Sequence, residues 1–319
     1  MQPSITVKLP DPENTYPLYA RNLIGEMNKQ LIYPNFEGSN GLWIMSDYGG
    51  EHKGAKFNTY SFLICCSDKA PVHREECRKI REKHSLNSPF KEFNYKDLDS
   101  SRVKSSIDEF LKISDSFIHG VLVTVSIDKE IPSMFGHTKK EGQREVSNLL
   151  KAHGLGDWKG TVAEKLMRIC HPIALYLALL RTESVDKFMW QSDNDAINDN
   201  GNKRSFDDTR TIFNRVLAMY TKKPFEIYGF AKSFKDEPYT SDIMSLTDFA
   251  AGALQDLLCG KVKGVEKKYS PEQEKIVKWL GNSSNYLQKH HYIFTKSKEG
   301  IWDVGQVNIT TRPEVDSKH

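Results

Sequence analysis

Two long apolar runs, FNTYSFLICC (residues 57–66) and SFIHGVLVTVSID (116–128), set the tightest limit on what this chain can fold into. Both are rich in β-branched and aromatic residues and apolar on both faces, as strands covered from either side would be. A sheet of that kind needs helices on each face, so the chain reads as α/β. GLWIMSD (41–47) reads as the strand before them, closed by a turn at Tyr48-Gly49-Gly50. The charged segments 71–86 and 101–113 read as helices inserted among these three strands.

Beyond residue 130 the hydrophobic period changes. Residues 140–153 and 161–181 read as helices, the second kinked or divided near Pro172. A strand (185–193), a helix (206–220), a short strand (224–232), an amphipathic helix (241–258) and a last helix (271–290) follow, with one more strand possible at 291–295. Three adjacent strands, then strands added through helical crossovers, give a mixed five-stranded sheet flanked by helices, with inserted helices and a C-terminal helical extension. That order is RNase H-like. The expected organisation is an arm at 1–40 packed on the core, a domain at 41–260, and a helix and tail at 261–319.

Acidic residues fall where such a sheet exposes a crevice. Asp47 ends an apolar strand, and Asp193 ends another, with Asp195 two residues on. On neighbouring parallel strands Asp47 and Asp193 would lie side by side, each raising the other's pKa unless a cation sits between them. Mg²⁺ or Mn²⁺ is the natural ion for carboxylate oxygens. Asp248 lies in DIMSLTDFAAGALQDLL, where Ala250, Ala251, Gly252 and Ala253 would let the helix lie close to a sheet. By periodicity alone Asp248 reads sooner as an acid on the wet edge of that helix than as one directed at a site. Glu92, in SPFKEFNYKDL, reads alone as a surface acid, and topology offers Glu145 or Glu141 as rivals for the same role.

The set SDYGG, KEFNYKDL, FMWQSDNDAI and MSLTDFAAGA resembles the domain of unknown function 3800 family, a bacterial group with an RNase H-like fold. The resemblance spans about residues 41–258 and maps the family's acids onto Asp47, Glu92, Asp193 (or Asp195) and Asp248. It departs at Tyr48, where the family has a glutamate, and at Asn94, where a basic residue is usual, with Lys96 nearby. The resemblance implies metal-dependent cleavage of DNA or RNA. Two ions about 3.5–4 Å apart would be held by Asp47, Glu92, Asp193 and Asp248, with Asp47 bridging. Lys96 or Lys53 would contact the scissile phosphate.

Net charge is +3, from 45 basic and 42 acidic residues, too even to argue for nucleic acid by itself. Local basic groups occur at residues 261–268, at Lys139, Lys140 and Arg144, and at Lys203-Arg204. Tyr48 could stack on a base or pack at the strand end, and His52, His290 and His291 are candidates for proton transfer. The departures at Tyr48 and Asn94 support an alternative: an inactive RNase H-like module that binds nucleic acid or a protein. A metal-dependent hydrolase of small phosphates is a third reading.

Five cysteines in no framework spacing read as reduced, buried thiols; a zinc set of Cys66, His73, Cys77 and His84 would lack the tight ligand pair usual in structural sites. Residues 1–17 have no apolar core of signal-peptide length, and the apolar stretch 169–180 is too short to span a bilayer. The expectation is a soluble cytoplasmic protein, compatible with a homodimer.

Overall fold

The computed structural model describes residues 4–7, 13–30, 32–198, 205–232, 237–265, 268–297 and 302–310. In chain order the elements are β1 (Ser4–Ile5), α1 (Leu18–Met27), β2 (Tyr33–Pro34), β3 (Leu42–Gly49), β4 (Phe57–Cys66), α2 (Ala70–Lys83), a 3₁₀ turn (Tyr95–Asp97), α3 (Ser101–Phe117) and β5 (Gly120–Asp128). They continue with α4 (Lys139–Ala152), α5 (Gly160–Leu180), β6 (Lys187–Ser192), α6 (Phe206–Tyr220), β7 (Ile227–Lys232), α7 (Pro238–Lys263), α8 (Pro271–Leu280), β8 (Leu287–Lys296) and β9 (Trp302–Gln306).

The main sheet has seven strands in the order β7-β6-β3-β4-β5-β8-β9, two more than expected. β3, β4 and β5 form an antiparallel meander; β6 is parallel to β3 and β7 to β6. On the other side β8 runs parallel to β5, and β9 pairs with it antiparallel. One face packs against α1, α4, α5 and α6, the other against α2, α3, α7 and α8. β5 is buried at every residue, which is why its sequence shows no alternation. Among the described residues no helix is long and apolar enough to cross a membrane.

The expected turn at Tyr48-Gly49 is strand: Tyr48 pairs with Tyr60 and Gly49 with Thr59. The chain turns only at Gly50, whose φ of +89° suits glycine and where a Cβ would meet the Phe57 carbonyl oxygen at 1.9 Å. The expected helix over 271–290 stops at Leu280, and 287–296 is a strand, so the C-terminal part adds two strands to the sheet. The strand expected at 291–295 is present and begins earlier, at Leu287; Lys289, His290 and His291 are buried and bonded to Asp115, Tyr176 and the Leu280 carbonyl.

Finally, α5 runs unbroken through Pro172. Proline cannot donate to the carbonyl four residues back, that of Arg168. The Tyr19 hydroxyl of α1 donates to that oxygen instead, at 3.0 Å. The amino-terminal helix thus completes the hydrogen bonding of the most apolar helix in the core.

Candidate functional site

Alternation along β3 decides where Asp47 points. Ser46 and Tyr48 face α5: Trp190 Nε1 donates to Ser46 Oγ at 2.8 Å, and the Tyr48 hydroxyl lies 2.8 Å from Ser46 Oγ and 3.2 Å from Ser192 Oγ. Met45, Asp47 and Gly49 therefore face α7; a Cβ on Gly49 would approach Ala251 and Gln255. On the parallel neighbour, Ser192 lies opposite Ser46, and the Asp193 amide extends the ladder by donating to the Ser46 carbonyl at 3.0 Å. That register sets Asp193 beside Asp47 on the α7 face.

The helix brings the third acid. Asp248 Oδ2 accepts a hydrogen bond of 2.6 Å from the Tyr95 amide, and its carboxyl hydrogen-bonds that of Asp47. Close approach depends on Gly252, where a Cβ would meet the Tyr95 ring at 2.3 Å. Glu92 precedes the 3₁₀ turn, exposed at the rim, within charge range of Asp193 and Asp248 and hydrogen-bonded to Ser241. Four carboxylates from four separate elements thus share one end of the sheet.

Gly252→Ala tests this packing. The ring of Tyr95 must give way, so the variant is expected to lose about 1–3 kcal/mol of stability, the usual cost of overpacking. The Tyr95 amide should also draw away from Asp248. A denaturant midpoint equal to that of the parent would show that the close approach is not required.

The charge balance is lopsided. Burial pushes the Asp47 carboxyl well above the usual range, and Asp248 and Asp193 push it further, with the Tyr48 amide (2.7 Å from Oδ1) opposing. Burial also lifts Asp248, to about 6, restrained first by the Tyr95 amide and then by Lys96. Both carboxyls are thus raised together, each by burial and Asp47 further by its contact with Asp248. Glu92 is raised by burial and then by Asp193. Of the cations acting on these acids among the described residues, Arg81 is already bound to Asp242, which leaves Lys96.

All four groups offer hard oxygen donors, a set that fits Mg²⁺ or Mn²⁺. Asp47 and Asp248 touch through a shared proton, whereas Asp193 and Glu92 act on them only through charge. As they stand, no three His, Cys, Asp or Glu side chains among the described residues are arranged to hold one ion.

Other candidates lie elsewhere. Asp195 accepts from the Ile197 amide and pairs at 2.5 Å with Lys165 of α5, on the opposite face from Asp47. Glu141 closes the capping box of α4, and Glu145 lines an apolar cavity beside Trp302, so neither joins Asp47. Tyr48 packs at the strand end with the Lys165 ammonium 5.1 Å from its ring centre, away from the acids. His290 and His291 are buried in β8, while Lys53 sits exposed in the loop after β3.

Cys66 contacts His119, Cys77 contacts His73, and His84 contacts Ser105, so the zinc set does not assemble; all five cysteines are free thiols. Of the basic groups, Lys263 pairs with Asp128 and Glu130, Lys203 and Arg204 lie outside the described residues, and so do 266–267 of the 261–268 run. Sequence reasoning missed Arg81, which anchors the segment carrying Glu92. It stands in an ordinary charged helix, and its partner Asp242 is 161 residues away.

No family model matches this chain, and no curated protein matches it.

Proposed function

We propose that this chain is a divalent-metal-dependent nuclease with an RNase H-like core, related to the domain of unknown function 3800 family. The observation that carries the reading is the convergence of Asp47, Asp193, Asp248 and Glu92 with so little compensating positive charge among the described residues. The strand order supports it. β7-β6-β3-β4-β5, with an antiparallel meander and two strands added in parallel, is the order expected of an RNase H-like core, to which β8 and β9 are additions.

A divalent ion, when bound, supplies neutralisation of the carboxylates and Lewis acidity toward a phosphoryl oxygen. Asp47 and Asp248, deprotonated, would hold it, with Asp193 and Glu92 closing from the sides. The Tyr95 amide fixes one Asp248 oxygen and the Tyr48 amide one Asp47 oxygen, leaving each a second oxygen to present. Lys96, close enough to lower Asp248, is the group to meet an incoming phosphate.

The test is cleavage of single- and double-stranded DNA and RNA oligonucleotides with Mn²⁺ or Mg²⁺, beside p-nitrophenyl phosphate. The reading expects cation-dependent oligonucleotide cleavage that EDTA abolishes. Turnover of the small phosphate alone would replace it with a phosphatase. A second reading, a non-catalytic nucleic-acid or protein-binding module, draws on the standing-off of Asp193 and Glu92 and on Tyr48 in place of an acid. It expects oligonucleotide binding without cleavage and no Mn²⁺-induced stabilisation.

A further inference from the structure

A second cavity opens at the same end of the sheet, on the opposite face. It has a volume of about 450 Å³ and lies between the starts of β4, α4 and α5 and the loop after β5. That is within the usual range for ligand pockets, roughly 300–1,000 Å³. Its wall carries four basic side chains, Lys129, Lys139, Lys165 and Arg168, against two acidic ones, Glu51 and Glu164. Lys165 is neutralised by Glu51 and Asp195, and the Arg168 Nη2 by Glu164. Lys129 and Lys139 form no ion pair among the described residues: the Lys129 ammonium donates to the His52 carbonyl oxygen, at 3.1 Å, and Glu51 reaches it only through charge, while Lys139 has no carboxylate partner there.

Neutral donors complete the wall. The amides of Asn58 and Gln143 line it without a side-chain hydrogen bond to any described residue. Beneath them Arg168 is 9% exposed, and its buried Nε has no partner. Two unpaired ammonium groups and spare amides around one recess form a receptor for an anion with several acceptor oxygens.

The cavity also shares its rim with the acidic group. Glu51 lies four residues beyond Asp47, Asn58 opens the strand paired with β3, and Lys165 ties Glu51 to Asp195, two residues beyond Asp193. A chain of phosphates crossing the end of β3 and β4 would meet carboxylates on one side and lysines on the other.

We propose that this pocket binds a backbone phosphate of the same nucleic-acid strand that reaches the acidic group. The identity of the anion rests on the nuclease reading; the anion site itself does not. Lys129 and Lys139 are both exposed, so Lys129→Gln/Lys139→Gln should fold as the parent does, with an unchanged melting temperature as the check.

The experiment is fluorescence anisotropy of a labelled single-stranded oligonucleotide across a salt series, in an Asp47→Asn background that prevents turnover. Removing two phosphate contacts should weaken binding on the order of tenfold and reduce the slope of log K against log salt by about 1.4. An unchanged slope overturns the proposal. Inorganic phosphate bound by the parent, lost in the double variant, with no change in oligonucleotide slope, also overturns it and makes the pocket a free-phosphate site. The outcomes separate from those of the nuclease reading: absence of cleavage with the expected slope change leaves the pocket standing, and cleavage without it removes the pocket alone.

Discussion

Asp47→Asn is expected to stabilise the metal-free protein at pH 8 by about 1 kcal/mol while removing its response to Mn²⁺. Asparagine copies the shape of the protonated acid that Asp47 becomes beside Asp248. The sign follows from linkage. Both carboxyls are raised in the folded state, Asp248 to about 6, so their contribution is fully present below the ordinary carboxylate range and is lost as pH rises through the folded values. The parent should therefore lose stability relative to the variant as pH rises above the ordinary carboxylate range. Buried neutral histidines such as His171 and His290, held near 3, act in the opposite sense below about pH 6.5. They are common to both proteins and cancel in the difference.

With cation the order reverses. At a hundredfold excess over Kd, Mn²⁺ should stabilise the parent by about 2.7 kcal/mol and the variant by far less. Activity, where present, should fall by roughly 10²–10³ or more, as when one preorganised electrostatic group is lost. Melting curves with and without Mn²⁺ at pH 5 and 8 supply the measurement. Equal Mn²⁺ stabilisation in both proteins would remove Asp47 from the ligand set, and a less stable variant at pH 8 would mean that no repulsion is stored there.

Much of this arrangement was legible in the sequence. Asp47 and Asp193 could be paired because apolar runs fix strands and parallel neighbours fix register. Their shared face then follows from alternation, which also assigns Tyr48 to the other side. Asp248 was ambiguous, since a helix period cannot say which edge faces a crevice; the run Ala250–Ala253 carried the real signal, because Gly252 admits the Tyr95 ring. Glu92 rested on resemblance, as a loop acid carries no periodic information. β8 was half hidden for a different reason. Only its second half, 291–295, read as a strand; its first half carries a lysine and a histidine satisfied by groups distant in sequence, which local pattern cannot supply.

The same blindness to distant partners hid Arg81, and its replacement by methionine carries the largest expected cost in stability. Arg81 and Asp242 are 2% and 1% exposed, joined at 2.5 Å from Nη2 and 2.9 Å from Nε. Burial pushes Asp242 up to about 6 despite the guanidinium, so the pair is ionised at neutral pH. Arg81→Met leaves a buried carboxylate alone and should cost about 3–5 kcal/mol. The penalty should shrink as pH falls toward about 6, because without the guanidinium that lowers it Asp242 takes up a proton at a higher pH than in the parent. Arg81→Met/Asp242→Leu removes both charges and should recover most of the loss.

Stability is only half of what Arg81 holds. Its Nη1 donates to the Lys91 carbonyl oxygen at 3.0 Å, and its guanidinium lies 4.6 Å from the Phe90 ring centre and 5.6 Å from that of Phe93, so it grips the segment on both sides of Glu92. The double variant restores an uncharged core but not that grip. It should therefore melt near the parent yet bind Mn²⁺ roughly 10–100-fold more weakly, the usual effect of losing a group that orients a ligand. Parent-like Mn²⁺ affinity in the double variant would show that Glu92 finds its place without Arg81. A cost below about 1 kcal/mol for Arg81→Met at pH 7 would show that Asp242 reaches water in solution.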